Sequence, residues 1–234
     1  MPADTSIIVA AYNEAERIGA TLAALARAFP GAQLWVADDG STDRTSRISR
    51  ESGARVVRSE LVIGKGAAVT QAALEALNDA SPSQPGSDES TVFVLCDGDL
   101  GESAAQLGAL VEAVRRGDTD VAVAAFARRV GGGFGLAVGF ARWAIRRRCG
   151  LETTSPISGQ RALSARAMRD VLPFAPDFGM EVGMTIDAVR AGHHVAELEL
   201  DLAHRATART PAGFAHRARQ LLDFVRVYLA RRRI

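Results

Sequence analysis

Short runs of β-branched and aliphatic residues alternate with longer segments in which apolar residues recur every three or four positions. The short runs, bounded by Gly, Asp or Pro, predict strands, and the longer periodicity predicts amphipathic helices. The first half predicts strands at 6–11, 33–38, 54–58, 91–96 and 120–127, and helices at 14–29, 43–52, 65–80 and 103–116. Such alternation predicts an α/β fold with a mainly parallel sheet and helices on both faces.

The pattern changes after residue 127, where three consecutive glycines precede a helix at 136–149 that ends in a basic cluster. The remaining predicted elements are a strand at 158–164, helices at 165–172 and 181–191, a strand at 194–202 and a long basic C-terminal helix. Asn13 is expected to cap the first helix, and Gly53 and Gly117 to end two others. We expect one domain over 1–234, made of a first half, 1–127, and a second half, 128–234.

Composition narrows the classes of partner. The chain has 28 basic and 27 acidic residues, so its overall charge does not favour nucleic acid. It has two cysteines, Cys96 and Cys149, without Cys-x-x-Cys spacing, and this usage favours a reducing cytoplasm. The N-terminus lacks a basic segment typical of a signal peptide, and the glycine-rich apolar stretch 130–141 is too short for a membrane span.

Two carboxylates follow the strand in "TVFVLCDGDLG", residues 91–101. Asp97 and Asp99 are two positions apart at a strand end, so their side chains can converge on one point. Close carboxylates repel unless a cation lies between them, and Mg²⁺ is often held by one or two carboxylates plus substrate phosphates. The ordinary alternative is a solvated Asp-Gly turn.

Three other polar segments fall at the same edge of the predicted sheet: "AAYNEAE", "ADDGSTD" and "IGKGAA". Ligands bind at this carboxyl edge in parallel sheets. Tyr12 could stack or hydrogen-bond, and Asp39 could accept from a base or ribose hydroxyl. Lys65, the one lysine of the chain, could contact a diphosphate or a base oxygen. The alternatives are helix caps, a turn and a solvated lysine. The sequence lacks the glycine patterns of dinucleotide-binding and P-loop proteins, which argues against both.

Together, "VAAYNEAERI", "VADDGSTDRT", "GKGAAV" and "LCDGDL" resemble, in order and spacing, the nucleotide-sugar glycosyltransferases of the GT-A fold, family 2 and its relatives. The resemblance covers about the first 130 residues, although Ala10 stands where many members carry proline. It implies that the nucleotide sugar contacts Ala11, Tyr12, Glu14, Asp39, Lys65 and Asp97. It also implies that Asp97 and Asp99 form an Asp-x-Asp site for Mg²⁺ or Mn²⁺ and the donor diphosphate.

In the second half, "SPISGQRALS", "LPFAPDFGMEVGMTIDA" and "LAHRATART" resemble the glucosyl-3-phosphoglycerate synthases. This resemblance implies catalytic roles for Glu181 and Asp99, with Glu181 facing the transferred sugar, and a metal ligand at His204. Dolichol-phosphate-sugar synthases often carry glutamine where Gly101 stands. His204 could fill the metal-coordination position that the missing glutamine side chain leaves open. The acceptor-side positions implied by the resemblance are Phe134, Leu136, Arg161 and Ala206.

The predicted activity is metal-dependent transfer of glucose from a UDP-linked donor. Phe134, Leu136 and Ala206 replace polar acceptor-binding residues of the synthases, so we do not expect 3-phosphoglycerate as acceptor. A soluble hydroxyl compound and a lipid phosphate remain open, because apolar residues and arginines at 136–148 and "ARRRI" suit a membrane surface.

A non-catalytic nucleotide-sugar-binding module is a rival, whereas a nucleotidyltransferase is disfavoured by the acidic "AAYNEAERIG" segment. We expect no nucleic-acid partner, and a homodimer is left open. The expected location is the cytoplasm, including the inner face of the membrane.

Overall fold

The computed structural model describes residues 5–80, 90–126, 135–202 and 211–232, and their side chains except those of 126 and 211–218. The strands within these residues are β1 Thr5–Ala11, β2 Gln33–Asp38, β3 Arg55–Arg58, β4 Val92–Asp97, β5 Val121–Phe126, β6 Arg161–Ser164 and β7 Val195–Leu200. The α-helices are α1 Ile18–Ala28, α2 Thr45–Glu51, α3 Lys65–Ala80, α4 Gly108–Arg115, α5 Leu136–Cys149, α6 Ala165–Val171, α7 Met180–Arg190 and α8 Pro211–Ala230. Short 3₁₀ helices occupy Gly101–Leu107 and Asp177–Gly179.

The strands form one sheet in the order β3-β2-β1-β4-β6-β5-β7. Neighbouring strands are parallel except that β6 runs antiparallel to both β4 and β5. Because β6 is reversed, its first residue, Arg161, pairs with Leu95 near the end of β4. The predicted mainly parallel sheet is confirmed, and the reversal of β6 brings residues 158–160 to the carboxyl edge.

Both faces of the sheet are covered by helices. On one face Ile7 and Val9 of β1 join a buried cluster with residues of α1 and α4. On the other face Ile8 packs in a second cluster with α3, α6 and α7. Successive residues of a strand point to opposite faces, so burial on both sides explains the unbroken apolar runs of the central strands.

A third buried cluster joins α5, α7 and α8, three helices of the second half. It includes Ala141 and Ile145 of α5 and Phe224 and Val227 of α8. Among the helices that the structure describes, none has the length and apolar character needed to cross a bilayer.

Several predicted bounds hold, and two predictions about helix starts are wrong. The strand at 33–38 and the helices at 65–80 and 136–149 have the predicted limits, and Gly53 and Gly117 have positive φ as expected. The first helix starts at Ile18 rather than residue 14, because residues 14–17 form a turn that begins after Asn13 at φ 55°. Asn13 therefore does not cap that helix, and its Oδ1 instead accepts a hydrogen bond from Thr42 N at 2.9 Å.

The predicted helix at 103–116 is divided at Gly108 into a 3₁₀ segment and α4. The predicted strand at 158–164 is shorter than expected and begins only at Arg161. Residues 158–160 precede it and approach the end of β4 through side chains rather than strand pairing.

Candidate active site

The polar segments that follow β1, β2 and β4 meet at the carboxyl edge of the sheet. Asp39 N donates to Ala11 O at 3.0 Å, and Gly98 N donates to Ala10 O at 2.9 Å. A Cβ on Gly98 would lie 3.2 Å from Ala10 O and 3.0 Å from Ile18 Cδ1, so glycine permits this close approach. The predicted convergence of these three segments is confirmed.

A partly buried ion cluster joins the two halves of the chain at this edge. Lys65 Nζ donates to Asp97 Oδ1 at 2.7 Å and to Glu181 Oε1 at 2.8 Å. Burial lowers the pKa of Lys65, but the charges of Asp97 and Glu181 outweigh that effect and raise the pKa above its ordinary value. Lys65 therefore carries its proton between two carboxylates, one from each half.

Gln160 and Gly159, which the sequence analysis did not single out, lie on the other side of Asp97. Gln160 is buried, and its Nε2 donates to Asp97 Oδ2 at 2.6 Å. A Cβ on Gly159 would lie 2.8 Å from Lys65 Nζ and 3.0 Å from Asp97 Oδ2. Each oxygen of Asp97 therefore has a donor. The available signal was the segment "SPISGQRALS", of which only Arg161 had been considered.

The Gly-Lys-Gly turn is shaped by the segment that precedes α7. A side chain on Gly64 would collide with the carboxylate of Asp177, and one on Gly66 would collide with Ala175 O. Gly64 also has φ 91°, which favours glycine. The close packing of residues 175–177 on this turn brings Glu181, at the start of α7, to Lys65.

Asp99 lies in the turn after β4, which is fastened to α1. The buried hydroxyl of Thr21 donates to Gly98 O at 2.8 Å and accepts from Gly101 N at 2.9 Å. Gly101 has φ 56°, so a glutamine in its place would be strained. Asp99 is half-buried and makes no hydrogen bond or ion pair with the part of the chain that the structure describes.

The carboxylates of Asp97 and Asp99 fit a hard divalent cation, because they offer oxygen ligands and Lys65 neutralises only part of the local charge. Among the described residues no group of three His, Cys, Asp or Glu side chains could hold a metal ion. His204, the predicted third ligand, lies outside the described residues.

Asp39 fixes the connection between β3 and α3. Its Oδ1 accepts from Ile63 N at 2.7 Å and Gly64 N at 3.1 Å, and its Oδ2 also accepts from Gly64 N at 3.1 Å. Burial raises the pKa of Asp39, and these two backbone donors offset the effect only in part. Its neighbour Asp38 is fully buried and accepts from Ser41 N at 2.9 Å, so Asp38 holds the turn itself.

Tyr12 and Glu14 follow β1 at the same edge. Tyr12 is 49% exposed, so its ring is accessible to a ligand. Glu14 is half-buried, and its backbone N donates to Thr45 Oγ1 at 2.8 Å. This bond ties the loop after β1 to the start of α2.

The predicted acceptor-side residues are only partly within the described chain. Phe134 and Ala206 lie outside the described residues, and Leu136 is the first residue of α5 and 72% exposed. Arg161 is buried, with Nε donating to Ser158 O and Nη1 to Thr185 Oγ1, both at 2.9 Å.

The remaining nitrogen of Arg161, Nη2, has no hydrogen-bond partner among the described residues. Arg161 lines a cavity of about 110 Å³ with Ser155, Thr185 and Glu197. Burial lowers the pKa of this guanidinium to about 10. Arg161 is thus buried against the side chain of Thr185 in α7 rather than open at the surface of the site.

Comparison with known proteins defines the class. The model of glycosyl transferase family 2 matches residues 6–163, and the chain belongs to this family. The predictions of a GT-A fold and of a glycosyltransferase are confirmed.

Individual relatives give closer comparisons. A dolichyl-phosphate hexose transferase from Haloferax volcanii is 42% identical over 71 residues, which make up 30% of this chain and 31% of that protein. The chain thus matches less than a third of that relative's length. The structure of glucosyl-3-phosphoglycerate synthase from Mycobacterium tuberculosis is 27% identical, with a TM-score of 0.72, over 98% of this chain and 80% of that one. The same synthase with Mn²⁺, UDP-glucose and glycerol 3-phosphate is 26% identical, with a TM-score of 0.71, at the same coverage.

Proposed function

We propose that this chain transfers glucose from UDP-glucose to a hydroxyl or phosphate acceptor in a reaction that needs Mg²⁺ or Mn²⁺. The observation that carries the proposal is the cluster of Lys65, Asp97 and Glu181 beside Asp99 at the carboxyl edge. Support for the donor and the metal comes from the similar synthase structures, which were solved with UDP-glucose and Mn²⁺.

In this proposal Asp97 and Asp99 hold the divalent ion, with His204 as a third ligand by family resemblance. The ion, when bound, supplies positive charge that stabilises the departing diphosphate. Mg²⁺ and Mn²⁺ both suit carboxylate oxygens, so the donor set leaves the choice between them open.

The other side chains have separate tasks. The ring of Tyr12 stacks on the base, Asp39 accepts a hydrogen bond from base or ribose, and Glu14 completes the nucleotide side. Protonated Lys65 adds positive charge near the diphosphate while it holds Asp97 in place. Glu181 faces the sugar, where it can position an oxocarbenium-like transition state or accept the acceptor's proton.

The acceptor in this proposal is not 3-phosphoglycerate. The side chain of Leu136, at the start of α5, offers no hydrogen-bond donor to a phosphate or carboxylate. A polyprenyl phosphate is the second candidate, and the name of the dolichyl-phosphate hexose transferase favours it. A soluble hydroxyl compound is the alternative.

We also infer that residues 1–234 act as one catalytic unit, with a donor-binding first half and an acceptor-side second half. Support comes from the hydrogen bonds of Lys65 with Glu181 and of Gln160 with Asp97, which cross between the halves. The free thiols of Cys96 and Cys149 suit the cytoplasm.

The test measures UDP release from UDP-glucose with Mn²⁺, with Mg²⁺ and after chelation, and compares GDP-mannose and ADP-glucose as donors. The native chain should release UDP slowly without acceptor, and chelation should abolish the release. Asp99→Asn should lose the activity, whereas Asp118→Asn, which removes an exposed charge paired with Arg116, should retain it. Turnover at an unchanged rate after chelation would refute the proposal, and preference for another donor would refute the base or sugar assignment.

The same assay with added acceptors then separates the acceptor candidates. UDP-glucose and metal are supplied with 3-phosphoglycerate or a short polyprenyl phosphate, and sugar transfer is measured. Transfer to the polyprenyl phosphate would favour the second candidate. Efficient transfer to 3-phosphoglycerate would contradict the assignment made from Leu136.

A further inference from the structure

Helices α5 and α8 pack together and share an outer surface. Ala141 and Ile145 of α5 are buried with Phe224 and Val227 of α8. At the border of this buried contact, the rings of Trp143 and Tyr228 have centroids 4.8 Å apart. The exposed sides of the two helices therefore meet in one continuous region.

We define the α5–α8 face by the exposed side chains of this region, which are Trp143, Arg146, Arg147, Arg219, Leu222, Arg226 and Leu229. On α8 these residues are spaced three or four positions apart and alternate Arg and Leu, so they form one stripe. Trp143 is 48% exposed, and Leu222 and Leu229 are also open to solvent. The stripe is both apolar and basic.

The charge of the α5–α8 face is mainly positive. Helix α5 contains no carboxylate, and the one acidic residue of α8, Asp223, is 6% exposed and lies 3.0 Å from Arg226, so it offsets part of the charge of that arginine. Glu152, just after α5, lies 3.4 Å from Arg146 and offsets part of its charge. The chain as a whole has a formal charge of +1, so these arginines are a local concentration of charge.

We propose that the α5–α8 face docks on an anionic lipid bilayer, with the arginines at the headgroups and Trp143, Leu222 and Leu229 at the interface. Tryptophan favours the membrane interface, and arginines near an anionic surface each add to binding. An arginine-rich face repels a second copy of itself, and a nucleic acid backbone offers no partner for exposed leucines between the arginines. The inference goes beyond the proposed reaction and does not rest on it.

The chain contains two tryptophans, and this permits a direct test. Trp35 is buried, so Trp35→Phe leaves Trp143 as the single fluorescent reporter on the face. The emission of Trp143 is measured with phosphatidylcholine vesicles and with vesicles that also contain phosphatidylglycerol. We expect a blue shift with the anionic vesicles, its absence with the neutral ones, and weaker binding at high salt. Co-sedimentation of the native chain with the same vesicles provides a readout that does not need the Trp35 substitution.

Two double charge-reversal variants distinguish the effect of charge on the α5–α8 face from the effect of net charge. R147E/R219E changes the α5–α8 face, and R47E/R116E makes the same change in net charge at exposed positions elsewhere. The first should lower vesicle binding at least about tenfold, because it removes two arginines and adds two carboxylates at the surface. The second should stay within about twofold of the native chain, because exposed charges beyond a Debye length are largely screened.

Several results would overturn the proposal. They are an unchanged emission with anionic vesicles, an equal shift with neutral vesicles, or equal losses in the two double variants. A duplex or RNA oligonucleotide that shifts Trp143 emission when vesicles do not would show a nucleic-acid surface instead. Binding to vesicles with UDP-glucose turnover absent would leave the docking surface standing and refute only the proposed reaction.

Discussion

Gln160 Nε2 donates a hydrogen bond to Asp97 Oδ2 at 2.6 Å, while Lys65 holds the other oxygen of the same carboxylate. The orientation of Asp97 is therefore set by two donors from different parts of the chain. In the proposed function Asp97 holds the metal ion, and removal of a group that orients a metal ligand typically costs about 10- to 100-fold in metal affinity.

We predict that Gln160→Ala weakens metal-dependent UDP binding by about tenfold, because Asp97 loses the hydrogen bond that Gln160 donates to its Oδ2. Calorimetric titration with UDP in the presence and absence of Mn²⁺ measures this effect. Ser158→Ala removes only the longer 3.3 Å bond to Gln160 Oε1 and should have a smaller effect. An equal loss of UDP affinity without metal would show that Gln160 acts on the fold and not through Asp97.

A second prediction concerns Gly159. Gly159→Ala places a methyl group 2.8 Å from Lys65 Nζ and 3.0 Å from Asp97 Oδ2, so the ion pair must shift. We expect donor turnover to fall at least about tenfold, since small misplacements of reacting groups are costly. Gly108→Ala is the matched control, because no neighbouring atom lies within 4 Å of its new Cβ. If the two variants turned over UDP-glucose at the same rate, the close contact at Gly159 would have no functional role.

Much of the fold followed from local patterns in the sequence. The strand at 33–38 and the helices at 65–80 and 136–149 were predicted with the observed limits, because their apolar periodicity and flanking residues are unambiguous. The convergence of the Tyr12, Asp39 and Asp97 segments followed from the rule that parallel strands end at one edge.

Other features depend on contacts that are distant in sequence. The reversed strand β6 lies between β4 and β5, and alternation of strands and helices does not specify that order. Lys65 and Glu181 are 116 positions apart, and their ion pair follows from the packing of residues 175–177 on the glycines beside Lys65. Asn13 was expected at a helix cap, but its amide bridges to Thr42 across the edge, a local alternative that sequence does not exclude.

A third prediction concerns pH and Glu197 in β7. Its carboxylate accepts from Thr154 N at 2.8 Å and Ser155 N at 2.9 Å, and from the hydroxyls of Thr153 and Thr154. Burial raises the pKa of Glu197, but these hydrogen bonds outweigh burial and lower the pKa below its ordinary value of 4.5. Glu197 therefore stabilises the folded chain above pH 4.5, and this contribution is lost as the pH falls through the lowered folded pKa.

We expect Glu197→Ala to lower the free energy of unfolding by about 2 kcal/mol at pH 7, since hydrogen bonds to a charged group are lost. Urea unfolding at pH 7 and at acidic pH measures the difference between the native chain and the variant. That difference should shrink in acid, because the native carboxyl is then protonated. A difference that does not change between pH 7 and pH 3 would contradict the assignment. Glu199→Ala, on the same strand but exposed, serves as the control.

The last prediction concerns the pairing of Lys65 with Glu181, which joins the two halves of the chain. Lys65→Met leaves Asp97 and Glu181 without the cation between them, and should lower the free energy of unfolding by about 3 kcal/mol. Glu181→Gln keeps the contact of Lys65 with Asp97 and should cost less, about 1 kcal/mol. In the double variant only Asp97 is left without its cation. The double variant should therefore lose about 1 to 2 kcal/mol less unfolding free energy than the sum of the two single losses.

Urea unfolding of the four proteins, without metal, measures this coupling. Arg116→Met, which breaks an exposed pair with Asp118, is the control and should cost less than about 1 kcal/mol. The two site variants should also lose UDP-glucose turnover, whereas the control should retain it. Additive effects of Lys65→Met and Glu181→Gln would mean that the pair is not coupled in solution. In that case Glu181 would have to be positioned by the packing of residues 175–177 alone, and not by its ion pair with Lys65 of the first half.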